Sequence, residues 1–123
     1  MLGSEKLVAF IATSDAPRAK AFYLEVLGLK LLSDEEWAVV FDANGTMLRM
    51  QKAPNVKPLP YTALGWQVKD IQATLAVLRG KGVQCERYEH LPQDAHGVWT
   101  TPDGSKVAWF KDPDGHLLSV TQF

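Results

Sequence analysis

The stretch VAWFKDPDGHLLSVTQF, residues 107–123, decides how this chain is organised. Two mainly apolar runs flank Asp112-Pro113-Asp114-Gly115, a combination typical of a tight turn. Proline presets its own φ, aspartate side chains bond nearby backbone, and glycine accepts a positive φ. The stretch therefore predicts a β-hairpin. Its last strand carries Ser119, which raises the question of what that strand presents to its surroundings.

An internal repeat extends this pattern to the rest of the sequence. FDANGTMLRMQ (41–51) is similar to FKDPDGHLLSVTQ (110–122), and VAFIATSD (8–15) is similar to ALGWQVKD (63–70). Each half reads β-α-β-β-β, and one copy alone leaves a sheet face exposed, so that pairing two copies buries it. The repeat predicts a single α+β domain over 1–123, with one module at about 5–52 and another at about 61–123.

Apolar periodicity predicts the individual elements of each module. One helix is expected over Ala16–Leu27, with Asp15 among its capping residues and Gly28 at its end, and a second over Ile71–Arg79. The proline-rich segment 52–60 is interpreted as a linker. Strands are predicted near 6–12, 29–32, 37–41 and 46–51, and then near 62–68, 83–88, 98–101, 106–110 and 117–122.

Composition excludes several classes of protein. The formal net charge is −1 and no block of one sign occurs, so the sequence lacks the electrostatic pattern of a nucleic-acid binder. No apolar stretch is long enough to span a bilayer, and no secretory leader is expected. A single cysteine, Cys85, allows no internal disulfide. The expectation is a cytoplasmic protein without a nucleic-acid or membrane partner.

Strand alternation separates two kinds of face. One set of alternate residues is apolar throughout and is predicted to pack under the helices: Ala9, Ile11, Leu48, Met50, Leu64, Trp66, Val68, Leu118 and Val120. The opposite set is mixed: Val8, Phe10, Ala12, Met47, Arg49, Gln51, Ala63, Gly65, Gln67, Leu117, Ser119 and Thr121. A sheet that curves around a partly wet cleft suits such residues. Phe10 and Ser119 are therefore among the candidate ligand contacts.

The sequence resembles the vicinal oxygen chelate superfamily, which includes glyoxalase I, bleomycin resistance proteins and extradiol dioxygenases. The resemblance is carried by VAFIATSDAPRAKAFYLEVLGLKL, ALGWQVKDI and the closing VAWFKDPDGHLLSVTQF, and covers nearly the whole chain. It implies paired βαβββ modules with curved mixed sheets around a cleft, and a homodimer. Whether the modules pair within one chain or by exchange between subunits stays open.

The resemblance also implies where a metal would bind. Metal-dependent relatives supply four ligands, usually His, Glu or Gln, from the first and last strands of each module. The matching positions here are Val8, Arg49, Ala63 and Ser119. Two are apolar, one is a fixed cation and a lone neutral hydroxyl is a weak ligand. The expectation is a cleft that lacks the usual metal, and no other cofactor is implied.

Two polar residues of the mixed face are candidates for ligand binding. An arginine that faces a cleft needs an anionic partner or water. Arg49 is therefore interpreted as a clamp for a ligand oxyanion, as half of an internal ion pair with Asp or Glu, or as a side chain that extends to the solvated cleft mouth. Gln67 is interpreted either as an amide that orients a polar ligand or as a side chain that forms hydrogen bonds to the surroundings of Arg49 or to solvent.

Aromatic and titratable residues of the second module supply further candidates. Trp99 and Trp109 are expected either to stack on a flat ligand or to serve in packing. His90 and His96 are interpreted either as a metal or acid–base cluster with nearby carboxylates or, preferably, as solvated loop residues. His116 is expected to be exposed.

These observations favour a small-molecule-binding protein of the glyoxalase/bleomycin-resistance type, with an anionic or aromatic ligand. The alternative is a lyase- or dioxygenase-like enzyme that acts on a small anionic substrate through a metal-free or unconventional site. A third possibility is an interaction module with a vestigial cleft. The sequence does not distinguish binding from catalysis, because no nucleophile motif or phosphate-binding glycine loop occurs.

Overall fold

A computed structural model describes all residues, Met1–Phe123, and divides the chain into two compact units, Met1–Lys57 and Pro58–Phe123. Each unit contains one α-helix and a four-stranded mixed sheet. The predicted α+β class with curved sheets is confirmed. That the two repeats form one domain, with the predicted module boundaries, stays a prediction.

The first unit follows the predicted β-α-β-β-β order. Its sheet has the strand order β1-β4-β3-β2, in which β1 and β4 are parallel and the other pairs antiparallel. After a 3-10 turn at Leu2–Ser4, the elements are β1 (Val8–Thr13), α1 (Ala16–Ala21), β2 (Lys30–Asp34), β3 (Ala38–Ala43) and β4 (Thr46–Lys52).

The first helix begins as predicted but changes its geometry. The Asp15 side chain caps α1 by accepting a hydrogen bond from the backbone N–H of Arg18 at 3.2 Å. At Phe22 the α-helix gives way to a π-helix, Phe22–Val26, so the prediction of one α-helix to Leu27 is wrong. The wider turn accompanies a fully buried Tyr23, and periodicity at three- and four-residue spacing does not distinguish the two geometries.

The second unit repeats the order with a shorter second strand. Its sheet has the order β5-β8-β7-β6, with β5 and β8 parallel. The elements are β5 (Thr62–Gln67), α2 (Ile71–Gly80), β6 (Trp99–Thr100), β7 (Lys106–Lys111) and β8 (Leu117–Gln122). Asp70 caps α2 by accepting from the N–H of Ala73 at 3.1 Å. Neither α-helix has the length and apolar character that a membrane span requires.

The strand predicted at 83–88 is wrong. The segment is irregular, and a backbone bond from Glu86 N–H to the Trp109 carbonyl, at 2.7 Å, ties it to β7. Other backbone groups of this segment form hydrogen bonds with the side chain of Gln93 instead. Its amide oxygen accepts from the N–H of Tyr88, and its amide nitrogen donates to the carbonyl of Glu86. A side-chain amide thus satisfies groups that a strand would have offered to the sheet.

The closing hairpin forms as predicted, between β7 and β8. Gly115 has φ +89°, and the Asp112 carboxylate accepts from the N–H groups of Asp114 and His116 at 2.9 Å. The prediction that His116 is exposed is wrong, since only 9% of its surface is accessible. The His116 carbonyl also accepts a hydrogen bond from the Asp112 N–H. His116 is therefore bonded to Asp112 through both its N–H and its carbonyl, and these bonds fix it in the turn of the hairpin.

Burial follows the predicted strand alternation in β4, whereas the first four residues of β8, Leu117–Val120, are buried on both faces. The central residues of the predicted helix-facing set are buried: Ile11, Leu48, Met50, Leu118 and Val120. In the first unit the Tyr23 ring lies 5.8 Å from the ring of Phe41, which shares a face with Leu48. Burial of each such side chain stabilises the fold by roughly 1.5–3 kcal/mol. The opposite face of each sheet, called the open face below, is left for other contacts.

Candidate functional site

The register of the second sheet brings predicted site residues together. Trp109 on β7 pairs with Ser119 on β8, which in turn pairs with Gly65 on β5. Trp99 on β6 pairs with Val107, two residues before Trp109. Because paired residues point to the same side of a sheet, Trp99, Trp109 and Ser119 all lie on the open face.

The aromatic rings on this face form a cluster. Trp99 and Trp109 are stacked, with centroids 6.2 Å apart and planes 24° apart. The Tyr88 ring meets Trp109 edge-on, at 5.5 Å and 88°, and the His90 ring lies 6.0 Å from Tyr88. All three of Tyr88, Trp99 and Trp109 are half-buried, so their rings combine a fixed position with an accessible surface.

A cavity of about 300 Å³ opens beside this cluster. Its lining includes Tyr61, Thr62, Tyr88, His90, Trp109 and Leu117. This size lies at the lower end of the range for small-molecule sites, and a mainly aromatic wall with a few polar groups is their usual chemistry. Of the two loop histidines, His90 lines the cavity and His96 does not.

Tyr88 contributes a phenol that keeps its proton at neutral pH. Burial, and secondarily the negative charge of Glu86, raises the pKa of the Tyr88 hydroxyl. The group therefore offers both a donor and an acceptor at the cavity wall.

Ser119 is enclosed rather than open to the cavity. Only 7% of its surface is accessible, and its Oγ lies 2.7 Å from the place where a β-carbon on Gly65 would stand. The hydroxyl thus occupies space that the missing side chain of Gly65 leaves on the neighbouring strand. This contact accounts for Ser119 as a packing residue beside Trp109.

The side chain of Gln93 stabilises the loop that contains Tyr88 and His90 by forming hydrogen bonds with its backbone. Its Oε1 accepts from Tyr88 N–H at 2.6 Å, and its Nε2 donates to the carbonyls of Glu86 and Gly97 at 2.9 and 2.8 Å. Sequence reasoning missed this residue. The signal available was weak, since a glutamine between a proline and an aspartate, Pro92 and Asp94, is typical of any surface loop.

Arg49 lies in the first unit and is held in an internal ion pair. Its Nη2 is 2.9 Å from Oε1 of Glu35, whose other oxygen accepts from the Ser33 hydroxyl at 3.0 Å. The hydrogen bond from Arg49, and then that from Ser33, lowers the pKa of the Glu35 carboxyl. The ion pair crosses β3, which lies between β4 and β2. The internal pairing considered from the sequence is therefore present.

Phe10 and Gln67, the remaining predicted site residues, are both exposed. Phe10 on β1 is paired with Arg49 on β4 and has 58% of its surface accessible. Gln67 on β5 is paired with Thr121 and lies on the open face of the second sheet, outside the lining of the aromatic cavity. The role of each in ligand binding stays a prediction.

Comparison with models of known protein families identifies the family of this chain. A model described as the Glyoxalase/Bleomycin resistance protein/Dioxygenase superfamily matches residues 7–120. The chain belongs to this superfamily. The resemblance inferred from the two repeats and the closing hairpin is thereby confirmed. Comparison with curated proteins gives no significant match.

Solved structures of the superfamily share the fold. A member from Sphaerobacter thermophilus is 22% identical with a TM-score of 0.77, and the match covers 100% of both chains. A glyoxalase family protein from Enterococcus faecalis is 22% identical with a TM-score of 0.76, over 98% of this chain and 99% of that one. Lactoylglutathione lyase from Agrobacterium tumefaciens is 19% identical, with a TM-score of 0.71 and coverages of 97% and 93%.

The positions that match the metal ligands of the superfamily do not fit a divalent metal. Val8 and Ala63 carry alkyl groups, the Arg49 guanidinium is a cation that already engages Glu35, and Ser119 supplies one neutral hydroxyl packed against Gly65. No group of three or more His, Cys, Asp or Glu side chains is arranged to hold an ion.

Other titratable residues of the loop serve its structure. Asp94 accepts from the N–H groups of His96 and Val98, at 2.8 and 2.9 Å, and shapes the turn between them. Burial raises the pKa of the Cys85 thiol, which disfavours the nucleophilic thiolate form. His90 is left as the histidine beside the aromatic cavity.

Proposed function

We propose that this chain is a small-molecule-binding protein of the glyoxalase/bleomycin-resistance type, whose ligand carries a planar aromatic group. The observation that supports this most is the cavity of about 300 Å³ beside Trp109. Trp99 stacks against Trp109 and Tyr88 meets its edge, so its ring is held in position before any ligand arrives. Such preorganisation reduces the entropic cost of binding.

The proposal includes recognition without the superfamily's usual metal. Its support is the chemistry of the matching positions in each unit taken separately. Val8 and Arg49 in the first unit offer no metal ligand, and Ala63 and Ser119 in the second offer one neutral hydroxyl. Ligand affinity then comes from apolar contact, ring stacking and hydrogen bonds of the protein's own side chains. A sequestering role, as in bleomycin resistance, needs nothing further.

The enzymatic alternative has less support. Of the groups that a lyase- or dioxygenase-like enzyme acting on a small anionic substrate would use, Arg49 is engaged by Glu35, and burial disfavours the thiolate form of Cys85. His90 is the titratable side chain of the aromatic cavity and is the residue to which proton transfer would be assigned. Binding of a planar ligand involves more of the side chains that line the cavity, which are mainly aromatic and apolar.

A homodimer and a cytoplasmic location complete the proposal. The homodimer is suggested by the superfamily resemblance, and the exposed apolar side chains of Phe10, Val8 and Met47 on the open face of the first sheet are consistent with a covered surface. The cytoplasmic location is suggested by the single cysteine.

Calorimetric titration with a planar acid and a non-planar one tests the proposed function. Naphthylpropionate is expected to bind saturably at one site per chain, and decahydronaphthylpropionate, which has the same number of ring carbons, more weakly, because only the flat ring stacks on Trp109. Both compounds carry the same carboxylate, so the difference reports on ring shape. Absence of saturable binding by naphthylpropionate, or equal affinity for the two acids, contradicts the proposal.

A further inference from the structure

A second cavity, of about 400 Å³, adjoins the aromatic one. The two share Pro60, Tyr88 and Leu117 in their walls, so they lie side by side on the second unit and are together called the groove below. The second cavity adds two charged residues, Glu86 and Lys111, to this groove. A ligand that fills both parts meets an aromatic end and a charged end.

Strand geometry fixes the distance between the two ends. Trp109 and Lys111 are two residues apart on β7 and therefore point to the same face of the sheet, about 7 Å from each other along the strand. The backbone bond from Glu86 N–H to the Trp109 carbonyl holds Glu86 beside the same strand. The backbone positions of Trp109 and Lys111 are thus fixed by one strand.

The far wall of the second cavity is also fixed. A β-carbon on Gly115 would lie 3.1 Å from Cγ of Pro58, so the proline-containing segment is seated closely on the hairpin turn. Gly115 has φ +89°, a conformation that other residues seldom adopt, and this keeps the position free of a side chain. The cavity therefore has walls on both sides of Lys111.

Lys111 is available to a second acceptor. Its Nζ is 3.3 Å from Oε1 of Glu86, and the two side chains are 56% and 33% exposed. An ammonium group has three N–H donors, of which one carboxylate oxygen engages one. Such an exposed, long pair is weak, in contrast to the 2.9 Å pair of Arg49 with Glu35, whose carboxylate is further held by Ser33.

We propose that Lys111 forms a subsite for a carboxylate, and that the ligand of this groove is an aryl-alkyl carboxylic acid whose ring lies against Trp109. This inference rests on the proposed function and names its ligand class. The anionic partner expected from the sequence at Arg49 is thereby assigned to a lysine of the second unit. Its short alkyl spacer is chosen because the backbone positions of Trp109 and Lys111 are only about 7 Å apart along β7.

Calorimetry with naphthylpropionate and its uncharged amide, naphthylpropionamide, tests this inference. The protein is expected to bind the acid about five-fold more tightly than the amide, which is the effect of one partly exposed charge pair. Lys111→Met should remove this preference and Lys111→Arg should retain it. Glu86→Gln should increase the preference, because Lys111 loses its competing carboxylate. Binding of the amide shows in each case that the variant is folded.

A matched control comes from the same strand. Lys106 lies on β7 but five residues from Lys111 and therefore on the other face, so Lys106→Met should keep the preference for the acid. If the unmodified protein and Lys111→Met show the same ratio of affinities for the acid and the amide, the proposed carboxylate subsite is wrong, but the proposed aromatic site is not contradicted. If neither compound binds, the proposed function fails and the subsite fails with it.

Discussion

Replacement of Trp109 by Ala should weaken the binding of naphthylpropionate by about thirty-fold. Trp109 is the ring that contacts both other aromatic residues of the cluster, with Trp99 stacked on it and Tyr88 against its edge. Burying an aromatic surface contributes about 2 kcal/mol, and truncation also leaves Trp99 and Tyr88 without their common neighbour. Calorimetry gives the change in Kd, and urea unfolding shows whether the variant remains folded.

Trp37 provides the matched control for this prediction. It is 74% exposed, lies in the first unit and lines none of the groove. Trp37→Ala should therefore leave the affinity for naphthylpropionate unchanged, and Trp109→Phe should retain part of it because a flat ring remains. If Trp109→Ala binds as tightly as the unmodified protein, the ligand does not lie on this aromatic cluster.

Replacement of Gln93 by Met should lower the free energy of unfolding by about 3 kcal/mol and also weaken ligand binding. The amide makes three hydrogen bonds to the backbone of residues 86–97, and each contributes about 1 kcal/mol. Methionine has nearly the same shape but offers no comparable donor or acceptor. Urea unfolding measures the stability, and the near-ultraviolet circular dichroism of Trp109 and Tyr88 reports on their arrangement.

The effect on binding has a separate cause. Without the hydrogen bonds of Gln93, the loop that contains Tyr88 and His90 can adopt more conformations. Ordering this loop when the ligand binds then costs part of the binding free energy. Gln84→Met is the matched control, since Gln84 is exposed in the neighbouring part of the chain and should change neither property. Equal stability and equal affinity of the two variants would contradict the role given to Gln93.

The sequence allowed the architecture to be predicted because local and repeated signals agree. The Asp15 and Asp70 caps, the two hairpin turns and the alternation of Leu48 with Met50 each specify a short stretch of backbone by themselves. The register between β7 and β8 follows from the hairpin, and it places Trp109 beside Ser119. These are short-range effects, which a single sequence contains.

The rest depends on contacts between distant residues. Arg49 and Glu35 are fourteen positions apart and meet across β3, so no local pattern distinguishes their ion pair from a free cation. The segment 83–88 has strand-like composition, but the side chain of Gln93 captures its backbone groups. This irregular loop also supplies Tyr88 and His90 to the wall of the aromatic cavity, and the sequence did not predict Tyr88 as a candidate because its position there depends on the hydrogen bonds of Gln93.

Membership of the superfamily establishes the fold and leaves the chemistry to the side chains of this chain. The structural relatives are at most 22% identical among those compared above, a level at which the site can be rebuilt on the same scaffold. The four positions that match metal ligands and the aromatic groove lead to the same interpretation, recognition of an organic ligand by protein groups.

The most direct test of this interpretation is the calorimetric Kd of naphthylpropionate, measured in a chelating buffer and again after dialysis against zinc or nickel. Because we propose recognition without a metal, and neither Val8 and Arg49 in the first unit nor Ala63 and Ser119 in the second include a His, Glu or Gln ligand, we expect the same Kd under both conditions. Loss of binding in the chelator, restored by one equivalent of metal per chain, would contradict recognition without a metal.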